Sequence, residues 1–97
     1  MWQDCYARSG AEHIQNLGKR YRNYRKRMGF TQKEVAEKAG LSVFTVSNFE
    51  KGSTTGLTLA SFIKLLRAIH FLEEIEKLLP PLPESPKAVF LNQKKKR

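Results

Sequence analysis

The sequence predicts an all-α fold of five helices, and three observations carry that expectation. Apolar residues recur at steps of three and four in one segment after another. Ser or Thr opens several of these segments, at Thr31, Ser42 and Thr58, and Gly closes several, at Gly29, Gly40 and Gly52. Pro80, Pro81, Pro83 and Pro86 then end regular helix and leave an extended, Pro-rich C-terminal tail. The expected division is an N-terminal arm over 1–11, a helical domain over 12–79 and a Pro-rich, basic tail over 80–97.

Residues 1–11 fit no periodic pattern. Gly10, mixed polarity, Trp2 and Tyr6 leave two readings, an unstructured arm and an arm docked on the helices. Residues 12–28 form the first helix, with Ile14, Leu17, Tyr21, Tyr24 and Met28 as its apolar stripe. Its other face carries Lys19, Arg20, Arg22, Lys26 and Arg27, a face that is either simply solvated or a row of phosphate contacts. Gly29 ends the helix, and Phe30 is expected to pack into the core.

The stretch over 30–52, FTQKEVAEKAGLSVFTVSNFEKG, organises the rest. Thr31 with Glu34 three residues on is a capping box, and Val35, Ala36 and Ala39 give the helix a small-residue inner face. Gly40 stops it, Leu41 follows as a plug, and Ser42 caps a second helix that runs to about Lys51. At about 100° per residue, Val46 and Phe49 fall together and point inward with Leu41. Phe44, Ser47, Asn48 and Lys51 fall on the opposite arc. An amide, a cation, a hydroxyl and an aromatic ring on one exposed arc suit the edges of bases, and the major groove admits one α-helix.

Residues 53–57 make a polar loop whose hydroxyls are suited to phosphate oxygens. Thr58 caps the next helix, with Leu59, Phe62, Ile63, Leu66 and Ile69 inside and Ser61, Lys64 and Arg67 outside. The chain bends around His70. Phe71, Leu72, Ile75, Leu78 and Leu79 form a last stripe opposite Glu73, Glu74, Glu76 and Lys77; this helix is the expected dimer surface. Beyond the prolines, KAVFLN over 87–92 has strand character, and 92–97 is a basic tail.

At 97 residues the chain has room for one domain with tails. Its net charge of +9 implies an anionic partner, nucleic acid or a membrane surface. No apolar run is long enough to span a bilayer, and 1–13 has no secretory apolar block, so no membrane span is expected. The single cysteine, Cys5, forms no intrachain disulfide, which fits a reducing compartment. There is no Gly-rich phosphate loop, no Cys/His ligand cluster and no nucleophile with a base. His13 and His70 are far apart in sequence and lack carboxylate companions, and Glu73, Glu74 and Glu76 read as a solvated face. No enzymatic activity, cofactor or metal is expected.

The Thr-Gln opening, the Glu-x-Ala-x-x-Ala-Gly core and the Asn-x-Glu-x-Gly ending resemble the helix-turn-helix of the lambda-repressor/Cro (XRE-type) family. The resemblance covers roughly 17–72. It implies a lambda-repressor-like DNA-binding domain, homodimeric on a palindromic double-stranded operator, in a bacterial cytoplasm at the nucleoid. It implies that Ser42, Val43, Phe44 and Asn48 read bases, with Ser47 on the same outward face. Gln32, Thr45 and Lys51 hold phosphates or brace their neighbours. It also implies that Arg25 pairs with Glu50, as a structural ion pair. The family often has polar residues, commonly Gln, where this chain has Val43 and Phe44. Apolar groups there suit thymine methyls and T-rich half-sites.

After the helix-turn-helix, TLASFIKLLRAI, then LLPPLPESP and the basic end, resemble antitoxins of the HipB type, which pair with HipA-family serine/threonine kinase toxins. That resemblance implies an autoregulating repressor that also binds a toxin. The rivals are a free-standing or phage-type repressor, a protein-interaction module, and a membrane-surface or RNA binder acting through charge.

Overall fold

The computed structural model describes the backbone of residues 2–83 and the side chains of residues 5–83. Within those residues the chain is helical throughout, with no strand. The helices are α1 (Trp2–Ala7), α2 (Gly10–Arg27), α3 (Gln32–Ala39), α4 (Val43–Lys51), α5 (Leu59–Ala68) and α6 (Ile75–Leu78); a 3-10 turn, Leu72–Glu74, precedes α6. The lambda-repressor-like all-α fold expected from the sequence is the fold observed. Helix α1 is additional to the five expected, and the last of those five is short and broken.

One local grammar builds the four long helices. Each begins at a hydroxyl cap: Ser9, Thr31, Ser42 and Thr58 each accept a hydrogen bond from a backbone N–H three residues on. Each ends on a residue in the left-handed region, namely Gly29, Gly40, Gly52 and, for α5, His70 at φ 67°. The next residue then donates its N–H back across the last turn. These bonds run from Phe30 to the Arg25 carbonyl, Leu41 to Ala36, Ser53 to Asn48 and Phe71 to Leu66, at 3.1, 2.9, 2.9 and 2.9 Å. Phe30, Leu41 and Phe71 pack half-buried against the core, so three of the four exits also seal its edge. The bend expected at His70 is this turn, made with a non-glycine residue.

The core is Tyr21, Val35, Ala36, Ala39, Val46, Phe49, Phe62, Leu65, Leu66, Ala68 and Ile69. Phe49 sits at its middle, with the Tyr21 and Phe62 rings each 6.0 Å away, centre to centre. Helix α2 lies against α4, and α3 against both α4 and α5.

Several stripe assignments are corrected. Helix α2 starts at Gly10, before the expected Glu12, because Ser9 and Glu12 form a reciprocal capping box. Its inward face is Gly18, Tyr21 and Arg25; Tyr24 and Met28 are 46% and 40% exposed. The reason is the close crossing of α2 and α4, which turns Gly18 inward. On α5 the inner face is Phe62, Leu65 and Leu66, running on to Ile69, while Leu59 is 62% exposed. Leu65 is wholly buried where α5 packs on α3, and its carbonyl accepts from the Tyr21 hydroxyl of α2 at 2.9 Å. Residues 71–79 do not form one helix. The left-handed His70 and the 3-10 turn consume the first residues, and Leu78 and Leu79 are exposed.

The N-terminal arm is helical in α1, and the His13 ring nitrogen Nε2 lies 2.8 Å from the Cys5 carbonyl oxygen. At the other end, Pro80 to Pro83 are non-helical and exposed. The expected strand-like run over 87–92 and the basic tail over 92–97 lie outside the described residues.

Candidate nucleic-acid interface

Helix α4 divides cleanly by face. Val46, Phe49 and Glu50 are buried; Phe44, Ser47, Asn48 and Lys51 lie on the other side, and Val43, seven residues before Glu50, sits at the boundary between the faces. Phe44 is 74% exposed and Val43 is 43% exposed, both in the first turn. Asn48 lies one turn beyond Phe44, and Ser47 one turn beyond Val43; both are half-buried. Among the described residues the Asn48 side-chain amide has no hydrogen-bonding partner, so its donors and acceptor are available. Lys51 is exposed at the helix end.

The two hydroxyls at the start of α4 are differently placed. Ser42 Oγ accepts a hydrogen bond from the Thr45 N–H at 3.0 Å and lies 2.9 Å from Thr45 Oγ1. Ser42 caps the helix and is tied to Thr45, so between them the two hydroxyls keep one O–H hydrogen, and the outward surface at the tip of α4 is largely that of Val43 and Phe44.

The inner side of α4 is fixed by an ion pair. Arg25 Nε donates to Glu50 Oε2 at 2.7 Å, and its Nη2 donates to Oε1 at 2.9 Å. A third donor, Nη1, reaches the Phe30 carbonyl at 2.8 Å. Gln32 Nε2 donates to Glu50 Oε1 at 3.0 Å. The Glu50 hydrogen bond holds the Arg25 guanidinium pKa above its ordinary value. One carboxylate thus ties α2, the start of α3 and α4 together, and among the described residues no buried side-chain polar atom lacks a partner. Gln32, a candidate for phosphate contact or bracing, spends one amide hydrogen on bracing.

Two glycines shape the site. A Cβ on Gly18 would stand 2.0 Å from the Phe49 carbonyl oxygen, closer than any side chain tolerates, so glycine is what lets α2 approach the α4 backbone. The sequence reading missed this residue, whose only signal was a glycine inside an otherwise good helix. At the end of α4, the Gly52 carbonyl accepts from Gln15 Nε2 at 3.3 Å, a second tie to α2.

Beside this junction Lys19, Arg22, Gln32, Ser47, Glu50 and Lys51 line a shallow notch. Lys19, Arg22 and Lys51 bring three cations to its rim from two helices. Gln32, Ser47 and Lys51 were singled out from the sequence; Lys19 and Arg22 were seen only as members of a basic face, because their nearness to α4 depends on the α2–α4 crossing. Arg20, Lys26 and Arg27 are exposed but do not line the notch.

A family model described as helix-turn-helix matches residues 22–77, from the middle of α2 through α6. The chain belongs to that helix-turn-helix family. It is a DNA-binding transcription regulator. No curated protein and no solved structure matches it closely enough to add a relative. No helix among the described residues is long and apolar enough to cross a membrane.

Proposed function

We propose that the protein is a homodimeric transcriptional repressor that lays α4 in the major groove of a palindromic operator. The observation that carries this reading is the division of α4: core and ion-pair residues on one side, Phe44, Ser47, Asn48 and Lys51 on the other, with Val43 exposed at the edge of the first turn. In this reading Asn48 and the first-turn residues Ser42, Val43 and Phe44 meet base edges. Thr45 positions Ser42, and Gln32 braces Glu50 while keeping a second amide hydrogen for a phosphate. Lys51 holds the backbone. The test is binding to sites selected from random duplex. Asn48→Ala should lose about 1–3 kcal/mol on the selected site and little on random duplex. Equal losses on both would remove Asn48 from the reader's role.

Dimerisation is supported by the C-terminal surface. Leu78, Leu79 and Leu82 are 54%, 88% and 91% exposed. Leu78 itself lines a groove with Tyr24, Leu66 and Phe71, and Leu79 follows it in the chain. A knob and a groove on one surface suit a two-fold interface, in which the same patch serves both partners. Half-site centres would then lie about one helical turn, roughly 10 bp, apart. Leu79→Glu should shift sedimentation toward the monomer and weaken operator binding. A wild-type chain that stays monomeric on its operator overturns the dimer.

The more specific role is that of an antitoxin that represses its own operon and binds a HipA-family kinase toxin. Its support is the resemblance of the segments after the helix-turn-helix, together with the apolar run Ala88, Val89, Phe90 and Leu91 beside the prolines. A pull-down from the native cell, with the full chain and with residues 86–97 removed, separates the readings. A kinase retained by the full chain supports the antitoxin. No specific partner leaves the free-standing repressor.

A further inference from the structure

We propose that Val43 and Phe44 make the site a reader of the pyrimidine C5-methyl group, so that 5-methylcytosine is accepted where thymine is. The inference rests on the reading of α4 as the groove-entering helix, and it names the chemical group which that helix recognises.

Two observations combine. Val43 and Phe44 are the exposed side chains of the first turn of α4, the end that reaches deepest in a helix entering the groove tip-first. The hydroxyls flanking them, Ser42 and Thr45, are hydrogen-bonded to the cap and to each other. Between them the two hydroxyls keep one O–H hydrogen, so the exposed surface of the tip is largely the apolar surface of Val43 and Phe44. In the major groove the base edges present hydrogen-bond donors and acceptors and one apolar group, the methyl on C5 of thymine. An exposed isopropyl group and a phenyl ring recover free energy from that edge only by covering the methyl, since water would otherwise have to be stripped from polar atoms without replacement. Cytosine methylated at C5 carries the same methyl at the same ring position. A contact that senses the methyl and not O4 or N4 does not separate the two bases. The amide of Asn48, one turn on, supplies the polar discrimination at a neighbouring base pair.

The experiment uses the full chain and synthetic duplexes based on the site it selects from random DNA. Each thymine in a half-site is replaced singly by deoxyuridine, which deletes only the methyl. At the sensitive position, C·G is then compared with 5-methylcytosine·G. Removing one buried methyl should weaken binding about fourfold. The same ratio should separate methylated from unmethylated cytosine. Phe44→Ala, Val43→Ala and the double variant should flatten both ratios toward one while retaining the helical circular dichroism of the wild type, because both residues lie outside the core. The inference is overturned if every deoxyuridine duplex binds within measurement error of its thymine parent. It is equally overturned if the ratios persist in the double variant, or if the two cytosine duplexes bind alike. A selected site that is lost on Asn48→Ala yet indifferent to all methyls overturns this inference and leaves the groove-entering helix intact. Selection that yields no preferred site overturns both.

Discussion

Arg25 holds Glu50 through two hydrogen bonds of 2.7 and 2.9 Å, with both side chains almost wholly buried. Glu50 receives a third from Gln32. Removing the arginine leaves a carboxylate buried with one amide for company. Arg25→Met should therefore cost about 3–5 kcal/mol. Pairing it with Glu50→Leu should recover much of the loss, since an apolar pair needs no counter-charge. Denaturant melts of the four proteins decide the matter; losses that simply add would show that the two residues act independently.

Gly18 and Gly10 make a matched pair on one helix. A Cβ at Gly10 meets nothing within 4 Å, whereas one at Gly18 meets the Phe49 carbonyl. Gly10→Ala should be neutral or stabilise by up to about 1 kcal/mol through the unfolded chain. Gly18→Ala should destabilise by about 3 kcal/mol, because backbone must move to admit the methyl. Thermal melts read both. A Gly18→Ala protein as stable as the parent would mean that α2 and α4 do not meet as described.

Much of this arrangement was legible in the sequence, and the misses share a cause. Caps at Thr31, Ser42 and Thr58 and exits at Gly29, Gly40 and Gly52 are local events, set by residues within one turn, so their types announced them. Val46 and Phe49 followed from the helical period. Tyr24, Met28 and Leu59 were assigned inward because a stripe fixes which residues share a face but not how far the helix rolls on its neighbour. Gly18 sets that roll for α2, and no periodic rule shows it. The Arg25–Glu50 pair came from family resemblance; charge alone would have left Arg25 among the basic residues around it. The bend at His70 was expected, but not its left-handed conformation, because glycine is the usual marker there.

Lys19, Arg22 and Lys51 rim one notch, and their electrostatic role has a measurable signature. If each neutralises one phosphate, each alanine substitution should make the slope of log affinity against log salt shallower by about 0.9. The loss should be the same on selected and random duplex. Arg27→Ala, on the same helix but outside both the notch and the groove, is the control. A slope unchanged in all three notch variants would place the backbone contacts elsewhere.

Glu34 gives α3 a pH-dependent cap. The Thr31 N–H donates to its carboxylate at 2.8 Å, and that hydrogen bond holds the carboxyl below its ordinary pKa of 4.5. A pKa lowered by folding means that the folded state prefers the ionised form. The contribution is then complete above about 4.5 and is lost as pH falls through the lower folded value. Glu34→Gln should lower the melting temperature slightly at neutral pH, with the gap closing on acidification. A gap that stayed constant would assign the effect to something other than ionisation.

The crossing at Gly18 and the carboxylate of Glu50 have a consequence for how α4 can be altered. All the ties that hold α4 to the fold, namely Val46, Phe49, Glu50 and the Gln15–Gly52 link, lie on its inner side or at its end. Positions 43, 44, 47 and 48 carry none of them. In the proposed reading, a change of base preference at these positions needs no compensating change in the core, and the melting temperature should stay nearly where it was while the preferred site changes.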